Sequence, residues 1–186
     1  MYGIHCYSYP FTFGRCYAKI YPIENGICAR LAIMISIVSV RSGAVISYCH
    51  VDKRHLERLS VHLTPFVLDK KVDYWADTMI KPGSKWREEI KLSFAHAKVA
   101  ILLVSADFLA SKFIVENELP PILAAAQTED VTILSVILSP CAYPHSELSQ
   151  YQSINPPSRP MSAMNRHGRE AIWTTLAEQV KEALNR

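Results

Sequence analysis

Glycine is scarce in this chain, six in 186 residues, and none is spaced as G-x-G-x-x-G or G-x-x-x-x-G-K-[ST]. That excludes the phosphate-cradling loops that hold dinucleotides and nucleoside triphosphates on backbone amides. No G-x-S-x-G elbow occurs either, so His50 and Asp52 with any serine do not make a hydrolase triad. The five cysteines (Cys6, Cys16, Cys28, Cys49 and Cys141) contain no C-x-x-C pair and no zinc-like spacing. Their odd number argues against a disulfide framework, and a reducing cytosol fits best. Seven histidines form no H-E-x-x-H or H-x-x-x-H pair, and His55 and His62 read as solvated or half-buried residues of one helix. No metal is indicated. Excess charge is missing too: the net charge is +3, with cations scattered among acids, so nothing marks a nucleic-acid footprint.

A long apolar run is also lacking. Leu31-Ala-Ile-Met-Ile-Ser-Ile-Val-Ser-Val40 is about half the roughly 20 residues a membrane span needs, and Arg30 and Arg41 close it off. Residues 1–42 differ from the rest, rich in aromatics and cysteine, nearly free of acids and interrupted by Pro10, Gly14, Pro22 and Gly26. They read as an appendage: an ill-ordered extension or a misplaced start, ahead of an added strand or a membrane anchor. Met34 is a candidate start. With 49% hydrophobic and 20% charged residues the chain is globular, and its length suits one domain, placed at residues 43–186.

From residue 43 onward strand-like and helix-like runs alternate. Ala44-Val-Ile-Ser-Tyr48 reads as a first strand, and Asp52 as the N-cap of a helix carrying Leu56, Leu59, Leu63 and Phe66 at helical spacing. Val72-Asp-Tyr-Trp75 is a short second strand. Lys81-Pro-Gly-Ser84 makes a turn whose Ser84 caps a helix, with Glu88 and Glu89 favourably placed in its first turn. Val99-Ala-Ile-Leu-Leu-Val-Ser105 and Val131-Thr-Ile-Leu-Ser-Val-Ile-Leu138 are strands covered on both faces. Residues 139–162 are polar and proline-rich, with room for a short edge strand near 151–154. The last helix is expected from about Arg169. This alternation predicts an α/β fold with a mostly parallel four- or five-stranded sheet and right-handed crossovers.

The segment after the third strand, Ser105-Ala-Asp-Phe-Leu-Ala-Ser-Lys-Phe-Ile-Val-Glu-Asn-Glu-Leu119, delivers carboxylates just beyond a strand's carboxyl end, where open α/β sheets keep their chemistry. Pro120 and Pro121 remove two amide donors, so the helix there is expected to break or restart, holding Glu118 near a helix end. Glu116 and Glu118 lie about 200° apart on a regular helix, so they cannot share one pocket.

Three pieces, in order and spacing, are similar to the Toll/interleukin-1 receptor (TIR) domain of the bacterial type. Ala44-Val-Ile-Ser-Tyr-Cys-His-Val-Asp52 resembles the family's FISYSHxD first strand. Trp75-Ala-Asp-Thr-Met-Ile-Lys-Pro-Gly83 with Trp86 resembles its second-strand loop, and Leu103-Val-Ser105 through Leu119 its third strand and following helix. The resemblance implies a flavodoxin-like three-layer sandwich and one of two activities, NAD-consuming catalysis or assembly of signalling complexes. Catalytic members carry a glutamate within Trp-Cys-x-x-Glu-Leu on this helix. Ile114-Val-Glu-Asn-Glu-Leu119 fits that spacing and puts the role on Glu118, although both Trp and Cys are replaced. Aligning Phe113 with the Trp would put it on Asn117, and Glu116 is the fallback.

Cleavage of NAD to nicotinamide and ADP-ribose, or a cyclic form, passes through a ribosyl cation that one carboxylate can stabilise. In a 2-1-3 strand order the crevice opens between the first and third strands, which nominates Ser47, Tyr48, Asp107 and Phe108 as walls. Asp77 and Trp86, on the loop that follows the second strand, would cover the cleft. NAD would then be a substrate, with no cofactor, in a cytoplasmic defence or toxin setting. TIR–TIR self-association and a separately encoded sensor complete the expected partners. The alternative is a non-catalytic scaffold adhering through residues 77–86. A phosphate-accepting response-regulator relative is disfavoured, because Ser47 and Tyr48 stand where its acidic cluster would be.

Overall fold

Four short runs of apolar and β-branched residues lie side by side because each must hide both faces. The computed structural model describes residues 41–79, 85–128 and 130–186, with backbone alone at 86 and 87. In it β1 (Ala44–Tyr48), β2 (Tyr74–Trp75), β3 (Val99–Val104) and β4 (Thr132–Ile137) form one sheet in the order β2-β1-β3-β4. Every pairing is parallel, and β1 meets β3 with Ser47 opposite Leu102 and Tyr48 opposite Leu103. The chain steps from β1 to opposite sides for β2 and β3, which makes the gap between β1 and β3 the topological switch point. This is the expected flavodoxin-like α/β fold.

Two layers of helices cover the sheet. On one face α1 (Lys53–Leu68) and α5 (Arg166–Leu184) bury Leu59, Leu63, Trp173 and Leu176 against Ile46, Ile101 and Val136. On the other, α2 (Trp86–His96), α3 (Ala106–Ala110) and α4 (Leu119–Thr128) bury Phe94, Phe108, Ile122 and Leu123 against Val45, Leu102 and Val104. Side chains alternate along a strand, so Ser47 shares the α2–α4 face with Val45. Residues Arg41–Arg186 form one unit. The expectations for residues 1–40, and for the turn and serine cap at 81–84, lie outside the described residues.

The structure corrects several details. β2 is confined to Tyr74–Trp75. Asp52 makes no side-chain capping bond to α1. Its Oδ2 instead accepts from Ser105 Oγ at 2.6 Å, and Ser105 accepts from the Phe108 amide at 3.1 Å, capping α3 and ending β3 one residue early. α5 begins at Arg166 because Asn165 supplies the N-cap to the Gly168 amide at 2.8 Å. The edge strand expected near 151–154 is reduced to one bridge between Ser135 and Ser153. Its pairing role falls to a side chain: Asn155, almost fully buried, bonds both the amide and the carbonyl of Ile137 at 3.0 Å each. That covers the open edge of β4 without a fifth strand.

The helix does not break at Pro120 and Pro121. Ile114–Glu118 form a π turn, with the Leu119 amide bonded to the Ile114 carbonyl five residues back, and α4 follows directly. Each proline ring crowds the carbonyl four residues earlier, on Glu116 and Asn117, and supplies no donor to it. A widened turn makes room for both without ending the helix, and π turns of this kind gather at functional sites.

Candidate active site

β1 ends in two polar residues, Ser47 and Tyr48, and each reaches a carboxylate on a different element. Ser47, 2% exposed, donates its hydroxyl to Glu118 Oε2 at 2.5 Å, joining β1 to the π turn. Tyr48 donates its phenol to Asp77 Oδ1 at 2.6 Å, joining β1 to the short 3₁₀ turn Asp77–Met79 that follows β2. A third residue joins them: His50 Nε2 lies 3.7 Å from Asp77 Oδ2, and its ring stands edge-on to Tyr48 with centroids 5.9 Å apart. Three elements thus converge at the carboxyl ends of β1, β2 and β3.

Glu118 is 8% exposed. Burial raises its pKa above the ordinary 4.5; the Ser47 hydrogen bond opposes that rise, nearby Asp77 adds to it, and His50 opposes it. The result is a carboxylate drawn upward mainly by desolvation, whose one hydrogen bond among the described residues is that accepted by Oε2 from Ser47. Tyr48 is also raised by burial, then by Asp77, so it stays a neutral donor. Such a group can offer one oxygen to a sugar hydroxyl and concentrated negative charge to a developing cation.

The structure separates the two glutamates. Glu116 is exposed and Glu118 buried, on opposite sides of the π turn. Phe108 is a correction: it is completely buried in the core between the sheet and α2–α4, so it offers no wall to a ligand. Asp107 is exposed in the first turn of α3 and bonds none of Ser47, Tyr48, Asp77 or Glu118. The side chain of Trp86 lies outside the described residues. His50 was not among the expected site residues; its place two residues after Tyr48, just beyond the strand, was the available signal. Among the described residues no three His, Cys, Asp or Glu side chains are grouped to hold a metal ion, and no helix is long and apolar enough to cross a membrane.

The TIR domain profile matches residues 45–166, a span running from β1 through the first residue of α5. The chain belongs to the TIR family. Uncharacterised protein y4lF of Sinorhizobium fredii is 22% identical to this TIR domain over 140 residues. That match takes in 75% of this chain and 43% of y4lF, so the chain spans less than half the length of its relative. Among solved structures, a metazoan TIR-STING receptor from C. gigas is similar at 15% identity and a TM-score of 0.49, covering 80% of this chain and 41% of that one. The TIR domains of the activated Roq1 resistosome, which recognises the pathogen effector XopQ, are similar at 16% identity and a TM-score of 0.46, covering 76% and 84%.

Proposed function

We propose that this TIR domain is an NAD glycohydrolase with Glu118 as its catalytic carboxylate. The TIR family includes NAD-cleaving enzymes. The observation that carries the reading is a buried glutamate, held by Ser47 at the switch point of the sheet, with no hydrogen bond to its second oxygen among the described residues. As the bond to nicotinamide lengthens, positive charge grows on the ribose, and the leaving group departs neutral without needing a proton. A desolvated carboxylate beside that charge interacts with it far more strongly than one in water. Because the charge is absent from bound NAD, this interaction speeds turnover rather than tightening binding. Ser47 fixes the carboxylate's direction, and Tyr48 anchors the base of the segment that would cover the ribose.

In this reading NAD is consumed, and the chain acts in the cytoplasm. Turnover rises with self-association, under the control of a separately encoded sensor. Concentrated protein incubated with NAD should release nicotinamide, together with ADP-ribose or its cyclic form. Glu118→Ala should lose about 10²- to 10⁴-fold in rate. A folded mutant with undiminished turnover would overturn the assignment. The scaffold reading draws on the exposed Met79, 45% accessible beside the loop base. It would be favoured if NAD persists at every protein concentration while substitutions at the loop abolish assembly.

A further inference from the structure

A cavity of about 480 Å³ opens on the other face of the sheet, between α1 and α5, lined by Asp52, Arg54, His55, Arg58, Leu138, Ser139, Ser162, Arg169, Glu170 and Trp173. None of Ser47, Tyr48, Asp77 or Glu118 lines it, so it is separate from the site proposed above. Its size suits a small molecule. Its chemistry is divided.

Arg58 is committed to Glu170, which also takes a bond from His62 at 3.0 Å. Arg54 has no hydrogen bond or ion pair among the described residues. Arg169 spends one nitrogen on the Met164 carbonyl at 2.7 Å, and the rest of its donor fork makes no hydrogen bond among the described residues. Burial pushes the pKa of His55 down, with Arg54 and Arg169 adding to that and Asp52 opposing it, so the imidazole adds little positive charge to the lining. The same lining also offers acceptors: Asp52, with Oδ2 occupied by Ser105, and the hydroxyls of Ser139 and Ser162. A simple anion would use the arginines and be repelled by Asp52. A neutral sugar would use Asp52 and leave Arg54 and Arg169 unpaired. A molecule carrying both a phosphate and a diol satisfies both halves, because arginine forks match phosphate oxygens and a carboxylate accepts from adjacent hydroxyls.

We propose that this cavity is a second, non-catalytic binding site for a phosphorylated ribose compound. Arg54 and Arg169 hold the phosphate, and Asp52 with the neighbouring serines receives the sugar hydroxyls. The ligand would bridge α1 and α5 and the loop that follows β4, three segments far apart in sequence.

Calorimetric titration of the full chain with ADP-ribose tests this without requiring any turnover. Wild type should bind saturably, with inorganic phosphate competing weakly. Arg54→Glu should weaken binding at least tenfold, and Ser162→Trp, which fills the cavity from an exposed position, should abolish it. Arg54→Ala gives the smaller loss expected from removing charge alone. NAD cleavage is read separately on wild type and Glu118→Ala, so failure of the catalytic reading and failure of this one are distinguishable. Absence of wild-type binding at millimolar ADP-ribose overturns the inference. So does unchanged binding in either Arg54→Glu or Ser162→Trp, which would place the ADP-ribose elsewhere on the chain.

Discussion

The Ser47 hydroxyl donates to Glu118 across 71 residues of sequence, at 2.5 Å, and it is the larger of the two interactions, with His50, that hold the Glu118 pKa down against burial. Removing it should be visible in the pH profile. Ser47→Ala strips the donor, so the Glu118 pKa rises further, and the acid limb of kcat/KM for NAD should move to higher pH. Along that limb the variant loses rate because less of the carboxylate is ionised. A pH–rate series on both proteins measures the shift; an unmoved acid limb would mean that Glu118 does not govern turnover.

The same burial sets the pH dependence of stability. A glutamate whose folded-state pKa lies above its unfolded value of 4.5 stabilises the fold fully below pH 4.5, and that contribution fades as pH rises through the folded value. Glu118→Gln removes the titration while keeping an acceptor for Ser47. Thermal melts should show this variant gaining on wild type as pH rises from 4.5, with little difference below. Glu116→Gln, altering an exposed side chain on the far side of the turn, should change neither melting nor nicotinamide release.

Tyr48 anchors the start of the segment that leads into α2. Tyr48→Phe keeps the ring in the core and deletes only the bond to Asp77. A hydrogen bond to a charged group contributes about 1.5–3 kcal/mol where it is buried, and this one is part-buried, so a loss near the lower end is expected. If the segment covers the substrate, KM for NAD should rise more than kcat falls. Steady-state kinetics read the two separately, and an effect confined to kcat would show that the bond acts on Glu118 instead.

Much of this architecture could be read directly from the residues. Runs such as Val99-Ala-Ile-Leu-Leu-Val can be hidden on both faces only inside a parallel sheet, so a parallel sheet followed from alternation, while the strand order and the switch point came from the family resemblance. Alternation also put carboxylates just beyond the end of β3, and the resemblance singled out Glu118 among them. Three things were not legible. The π turn arises from competition between two prolines and a helix that packing favours, a balance local rules decide in favour of a break. The edge of β4 is satisfied by the Asn155 side chain, which no strand periodicity reveals. Phe108, next to an exposed aspartate on a short helix, gave no sign in sequence of which way it faced, and packing against Leu102 and Val104 placed it in the core.

Ser105 does two jobs through one oxygen, and its removal should cost more than an ordinary helix cap. It accepts from the Phe108 amide and donates to Asp52, a residue only 9% exposed. Losing the cap costs about 1 kcal/mol, and leaving a buried carboxylate without its donor costs a further ~1–3 kcal/mol. Ser105→Ala should therefore lower unfolding free energy by about 2–4 kcal/mol, summed from those two effects. Urea melts of Ser105→Ala, Asp52→Ala and the double mutant separate the contributions. The capping part should persist in the Asp52→Ala background, and the part due to the carboxylate should vanish there. If Ser105→Ala costs the same in both backgrounds, the bond across the ends of β1 and β3 contributes nothing, and Asp52 is held by its surroundings alone.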